Sequence, residues 1–112
     1  KFEALHCDDA KVLSLAIGSA ARAAEEVVNV LRERGVKAGL FRPITLWPFP
    51  KDEFAKYAAN ADYIVVPEMN LGQLKTVAER FTKRTKIIPI NLVNGEPLGP
   101  DTIISAVNHL NI

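Results

Sequence analysis

The hydrophobic positions of this chain fall into four short runs that are apolar at nearly every position. β-Branched residues are common in these runs, and polar residues do not alternate with them. Such continuity is typical of strands that are covered on both faces, as in a parallel sheet. The sequence therefore predicts four buried strands, at Val12–Ile17, Val36–Phe41, Tyr63–Val66 and Ile87–Leu92.

After each of these runs, apolar residues recur at helical spacing. The first helix is predicted over Ala20–Arg34, with Ser19 as its N-cap and Gly35 as its left-handed stop. The second helix begins near Pro50, because proline is favoured in the first turn. The remaining two helices are predicted at about Leu71–Lys83 and after Gly99-Pro100.

Strands and helices thus alternate along the chain, and this order predicts a doubly wound α/β fold with helices on both faces of a mostly parallel sheet. Phe2–Leu5 is predicted to add a short edge strand, and Asp8-Asp9-Ala10 is the turn that follows it. A chain of 112 residues has room for one domain of this kind. We therefore expect a single three-layer, Rossmann-like domain of about five strands over residues 1–112.

Composition and charge exclude several classes of function. The net charge is +1, so no strong basic field indicates nucleic acid as a partner. The single cysteine, Cys7, cannot form an internal disulfide or hold an iron–sulfur cluster. The apolar runs are far shorter than the roughly 20 residues of a membrane span. We expect a cytoplasmic protein that binds no nucleic acid or membrane and, because it begins at Lys1, is a fragment of a longer protein.

Polar residues follow the ends of the predicted strands, where open α/β sheets bind ligands and partners. Gly18-Ser19 opens a helix and could bind an anion there, but one glycine without a Gly-x-Gly-x-x-Gly spacing favours an ordinary strand–helix turn. Arg42 and Glu68 are predicted to meet across the crevice, as an ion pair between two loops or as contacts to a partner or ligand. The full set of candidates is Gly18, Ser19, Arg42, Thr45, Glu68, Asn70 and Gln73, together with the two aromatic residues described next.

The segment Leu46–Pro50 is stiffened by two prolines and carries Trp47 and Phe49. A stiff aromatic loop loses little entropy on docking and makes a good interface anchor. The alternative is that both rings fold back over the core. No catalytic residue is predicted. Nothing near Glu68 in the sequence supplies a second catalytic group, and Cys7 has no obvious activator, although His6 is adjacent.

Two of these segments carry a specific family likeness. They are Arg42-Pro43-Ile44-Thr45-Leu46-Trp47-Pro48-Phe49-Pro50 and Glu68-Met69-Asn70-Leu71-Gly72-Gln73-Leu74, and Gly18-Ser19 precedes them in the same order. Together they resemble the C-terminal domain of the α subunit of 2-oxoacid:ferredoxin oxidoreductases. The likeness is specific from about Lys11 to Leu74 and looser beyond.

The resemblance implies a fold similar to the transketolase C-terminal domain, with strand order 1-3-2-4-5, an antiparallel first strand at Phe2–Leu5, and a switch point between the Gly18-Ser19 and Glu68-Met69-Asn70 ends. It implies a parent enzyme that converts a 2-oxoacid to an acyl-coenzyme A, with thiamine diphosphate, Mg²⁺ and iron–sulfur clusters, and reduces ferredoxin. The fragment lacks the acidic diphosphate-metal motif and the cluster cysteines, so we expect no cofactor and no catalysis in this domain.

The expected partners are the remaining domains of the α subunit and the β subunit, with ferredoxin as the electron acceptor of the complex. Three alternatives remain open from the sequence. The first is the equivalent domain of a transketolase or 2-oxoacid dehydrogenase. The second is an independent module for a small molecule or nucleotide, which requires a deep apolar pocket. The third is an assembly domain, which requires an exposed apolar patch.

Overall fold

A computed structural model of the chain describes residues 1–44, 48–68, 72–91, 100–108 and 110. Strands and helices alternate through these residues as the sequence predicts. The strands are β1 (Phe2–Leu5), β2 (Val12–Leu15), β3 (Ala38–Pro43), β4 (Tyr63–Glu68) and β5 (Ile87–Asn91). The α-helices are α1 (Gly18–Glu33), α2 (Lys51–Asn60), α3 (Gln73–Glu79) and α4 (Pro100–Asn108), and a short 3₁₀ turn spans Arg84–Lys86.

The five strands form one sheet in the order β1-β3-β2-β4-β5. β1 is antiparallel to β3, and the other neighbouring strands are parallel. This confirms the strand order that the resemblance implies. The four parallel strands end at one edge of the sheet, termed the carboxyl edge, and begin at the opposite edge, termed the amino edge.

Two cores cover the two faces of the sheet. Alternate residues of each strand point to opposite faces, so Val12 lies on one side of β2 and Leu13 on the other. Helices α1 and α4 pack on the first face, where Val27 and Ile103 are buried. Helices α2 and α3 pack on the second face around a group of aromatic rings centred on Phe41. The chain is therefore the three-layer α/β structure predicted from the apolar runs.

Several predicted boundaries differ from the structure. Ser19 is not the N-cap of α1, because the helix begins at Gly18 and its cap residue is Ile17, which offers no side-chain acceptor. Helix α3 ends at Glu79, short of the predicted Lys83. The predicted stop at Gly35 is confirmed, since its φ is +85° and lies in the left-handed region.

Arg32 connects the end of α1 to the amino edge. Its guanidinium donates to the carbonyl oxygen of Ala38 at 2.8 Å and to that of His6 at 2.9 Å. It also forms a two-pronged ion pair with Asp9, with a shortest N–O distance of 2.6 Å. This hydrogen bond lowers the pKa of the Asp9 carboxyl. One side chain thus joins α1, β3 and the turn after β1.

Helices in the described ranges are each too short or too polar to cross a bilayer.

Candidate functional site

A cleft of about 230 Å³ lies at the carboxyl edge, between the ends of β2 and β4. This is the point where the strand order reverses, because the chain passes from β2 to β3 on one side and then to β4 on the other. Four of the residues predicted from the sequence come together in its wall: Gly18, Ser19, Glu68 and Gln73. Ile17, Ala20, Pro67 and Leu74 complete the lining.

One wall of the cleft is the start of α1. Gly18 has a φ of +57°, which lies in the left-handed region, and it lets the chain turn from β2 into the helix. No described side chain caps this end of the helix, and its first turn holds no acidic residue. The first-turn amides are therefore available to water or to a partner.

The opposite wall is built by Glu68, the last residue of β4, which is buried with only 6% of its surface exposed. One carboxylate oxygen accepts the backbone N–H of Leu74 at 2.8 Å, and the other accepts that of Lys75 at 3.1 Å. These are the second and third residues of α3, so Glu68 caps that helix from the end of the strand. Its carboxylate is thereby satisfied without a counter-ion.

The predicted meeting of Arg42 and Glu68 is wrong. Strand β2 lies between β3 and β4, so the ends of these two strands are not neighbours. Arg42 instead pairs with Glu3, its cross-strand partner on β1, at 3.2 Å. It lines a separate shallow groove beside β1 that also includes Glu25. The strand order implied by the family resemblance already separates these two side chains, although the local sequence patterns do not show it.

Of the two aromatic residues in the Leu46–Pro50 segment, the structure describes Phe49. Phe49 folds back over the core: its ring stacks on Phe81 at 5.6 Å and meets Phe54 edge-on at 5.6 Å. It is buried and therefore does not act as an exposed anchor. Trp47, Thr45 and Asn70 lie outside the residues that the structure describes.

Ile44 is an exposed apolar residue that the sequence analysis did not single out. It follows β3 at the carboxyl edge, and 52% of its surface is exposed. Its backbone N–H donates to the carbonyl oxygen of Lys1 at 3.0 Å, which fixes the position of the residue. One exposed apolar side chain is common on protein surfaces, so Ile44 does not mark an interface by itself and is a position at which a contact can be tested. Arg42 and Pro43 separate Ile44 from the apolar run Val36–Phe41, so the sequence signal for burial ends before this residue.

The single cysteine of the chain, Cys7, lies away from this edge. Cys7 is buried near the amino edge, where its thiol donates to the carbonyl oxygen of Leu40 at 3.2 Å. Burial raises the pKa of this thiol to about 11, so it is protonated at neutral pH and is a poor nucleophile.

The described side chains also do not provide a set of metal ligands. Nowhere in the described ranges do three His, Cys, Asp or Glu residues come close enough to hold one ion. One cysteine in the whole chain cannot ligate an iron–sulfur cluster. The described side chains therefore do not fit the metal ion of a diphosphate cofactor. The single thiol does not fit an iron–sulfur cluster.

Comparison with known protein families gives one match that spans most of the chain. Residues 10–103 match the model of pyruvate:ferredoxin oxidoreductase core domain II. The match covers β2 and extends into α4, and thus includes both walls of the cleft.

Curated relatives are archaeal enzyme subunits. The chain is 38% identical over 100 residues to the 2-oxoglutarate synthase subunit KorA of Methanocaldococcus jannaschii, which covers 88% of this chain and 27% of that protein. It is 45% identical over 69 residues to the subunit of the same name from Archaeoglobus fulgidus, covering 62% of this chain and 20% of that protein. The chain therefore spans about a quarter of the length of these relatives.

A solved structure shares the fold. The 2-oxoglutarate:ferredoxin oxidoreductase from Magnetococcus marinus, determined with 2-oxoglutarate, coenzyme A and succinyl-CoA bound, superposes with a TM-score of 0.84 and 28% sequence identity. The superposition covers 96% of this chain and 19% of that one. The whole α/β structure described above is thus similar to one part of a larger enzyme chain.

Proposed function

Because the chain belongs to the pyruvate:ferredoxin oxidoreductase core domain II family, we propose that it is a noncatalytic domain of the α subunit of a 2-oxoacid:ferredoxin oxidoreductase. The parent complex would oxidatively decarboxylate a 2-oxoacid to an acyl-coenzyme A and pass the electrons to ferredoxin. Relatives named as 2-oxoglutarate synthase and pyruvate synthase subunits support this reaction class. The coenzyme A and succinyl-CoA bound to the Magnetococcus enzyme support coenzyme A as the acyl acceptor.

In this proposal, thiamine diphosphate, Mg²⁺ and the iron–sulfur clusters are held by other domains or by the β subunit. The domain itself is inactive alone. It functions in the cytoplasm as one part of a longer α subunit.

The proposed role rests on three features that lie together at the carboxyl edge. This edge combines a preformed cleft with uncapped helix amides at Gly18-Ser19 and an exposed apolar side chain at Ile44. Amides and apolar surface together are what a protein–protein contact uses for orientation and for affinity. We therefore propose that this edge packs against the remaining domains of the α subunit or against the β subunit.

The independent nucleotide-binding alternative is less well supported. The cleft, at about 230 Å³, is smaller than the roughly 300–1,000 Å³ typical of small-molecule pockets. Its wall includes the carboxylate of Glu68, which repels a phosphate. A glycine-rich phosphate loop is also missing from the sequence.

Reconstitution tests the proposed function. The purified 112-residue chain is mixed with the rest of the α subunit and with the β subunit, and reduction of ferredoxin or a viologen dye is followed. We expect no turnover from the chain alone, and restored turnover that requires both a 2-oxoacid and coenzyme A when all parts are present. Tight binding of a nucleotide by the isolated chain, with no association with the other parts, would overturn the proposal in favour of an independent module.

A further inference from the structure

Glu68 is the one charged side chain buried at the carboxyl edge among the described residues, and it lies in the wall of two clefts. The first is the cleft between β2 and β4. The second, of about 250 Å³, lies on the other side of Glu68 toward β5 and is lined by residues including Gly72, Lys75 and Asn91. Any displacement of Glu68 therefore alters both clefts at once.

The contacts of Glu68 fix α3 relative to the sheet. The residue before α3, Gly72, has a φ of +81° and no side chain, so it cannot cap the helix. Both oxygens of Glu68 take that role from the end of β4, through the amides of Leu74 and Lys75. A capping residue within the loop would satisfy the same amides without tying them to a strand. Glu68 thus ties the first turn of α3 to the end of β4 by two hydrogen bonds.

We propose that Glu68 is a positioning residue of the parent enzyme. It touches no reacting atoms, and it sets the shape of the carboxyl edge by holding the start of α3 against β4. This inference rests on the proposed function, because it assumes that the carboxyl edge faces the remainder of the enzyme near the path of its substrates. A residue that acts in this way changes substrate binding more than the chemical step.

Glu68→Gln tests the role in the full parent complex. Glutamine keeps one acceptor oxygen and replaces the other by an NH₂ group, which opposes a backbone N–H donor. Asp9→Asn is the matched control, because it also removes a charged hydrogen bond but lies at the amino edge. Assembly is measured by size-exclusion chromatography. The KM values for the 2-oxoacid and for coenzyme A, and kcat, are measured by dye reduction.

We expect Glu68→Gln to assemble, to raise at least one of the two KM values about fivefold or more, and to change kcat by less than about twofold. Asp9→Asn leaves both KM values unchanged. Unchanged KM values in an assembled Glu68→Gln enzyme would show that Glu68 is only a helix cap and would overturn the proposal.

A milder variant decides the case if Glu68→Gln does not assemble. Glu68→Asp keeps the charge but shortens the side chain by one methylene, which withdraws its oxygens from the amides of Leu74 and Lys75. A rise in KM that Asp9→Asn does not show supports the proposal, and unchanged KM values overturn it. The wild-type complex is assayed first: if it reduces no dye, the proposed function itself fails, and the role of Glu68 fails with it.

Discussion

Arg32 and Glu68 act in similar ways at opposite edges of the sheet. Each side chain hydrogen-bonds to backbone groups of another element, and each joins a helix end to strands or turns. Charged hydrogen bonds of this kind are stronger than neutral ones, and a buried carbonyl or carboxylate left without a partner is costly. These contacts could not be predicted from the sequence, because nothing in a local pattern distinguishes these residues from solvated surface charges.

Asp9 gives a prediction for the dependence of stability on pH. Its pKa is lowered below the ordinary value of 3.8 by the hydrogen bond from Arg32. The ionised form is therefore favoured in the folded state, so its stabilising contribution is present above pH 3.8 and is lost as the pH falls through the lower folded pKa. We expect the melting temperature of the wild type to fall more steeply below pH 4 than that of Asp9→Asn.

The measurement is thermal unfolding followed by circular dichroism across this pH range. Asp8→Asn is the control, because it removes the neighbouring carboxylate but leaves the Arg32–Asp9 pair intact. It should keep the steep decline of the wild type. Parallel curves for the wild type and Asp9→Asn would contradict the account of this ion pair.

At the scale of the elements, the second face of the sheet depends on a group of aromatic rings from different segments. Phe49, from the segment before α2, contacts Phe41 of β3, Phe54 of α2 and Phe81 after α3. Truncating a buried phenylalanine to alanine typically costs about 3–5 kcal/mol through lost burial and the cavity left behind. Phe49 thus links two helices to the sheet.

We therefore expect Phe49→Ala to lower the free energy of unfolding by about 3–5 kcal/mol, measured in urea. Ile44→Ala is the comparison, because Ile44 is exposed, and it should change this free energy by less than about 0.5 kcal/mol. A small loss for Phe49→Ala would indicate that Phe49 is an exposed interface anchor after all.

The existence and order of the strands and helices were largely predictable from the sequence, since the buried strands are apolar on both faces and the helices carry apolar stripes. The edge strand Phe2–Leu5 was predicted with its observed bounds. The start of α1 was not predicted correctly. Ser19 has the side chain of a typical N-cap, but the helix begins two residues earlier than predicted, at Gly18, whose φ is positive. Helix α3 was predicted too long because apolar Phe81 continues its stripe, although that ring packs beyond the helix end.

For the whole molecule, the strand order concentrates the candidate residues at one edge. Gly18, Ser19, Glu68 and Gln73 are separated by up to 55 positions in the sequence, the difference between 73 and 18, and yet line one cleft. Their convergence was predictable from the rule that strand ends near a switch point meet. The same strand order places β2 between β3 and β4, so Arg42 and Glu68 do not meet. The chain's local patterns do not encode this order.

Ile44 tests whether this edge is buried in the parent complex. Ile44→Glu places a charge in an apolar contact and should weaken association with the rest of the enzyme by about tenfold or more, while the domain stays folded. Thr85→Glu is the matched control, because it adds the same side chain at an exposed position at the amino edge. Equal association of both variants, measured by co-purification and by titration, would contradict a role for Ile44 in the contact.

Hydrogen–deuterium exchange compares the carboxyl and amino edges most directly. Exchange is measured for the isolated chain and for the same domain in the assembled complex. The account predicts that assembly slows exchange at the start of α1, around Gly18–Ala20, where no described side chain caps the first-turn amides of the isolated chain. Segments at the amino edge, Arg34–Lys37 and Arg84–Lys86, should keep their exchange rates. Protection confined to the amino edge, or no change at either edge, would contradict the claim that the carboxyl edge is the contact surface of this domain.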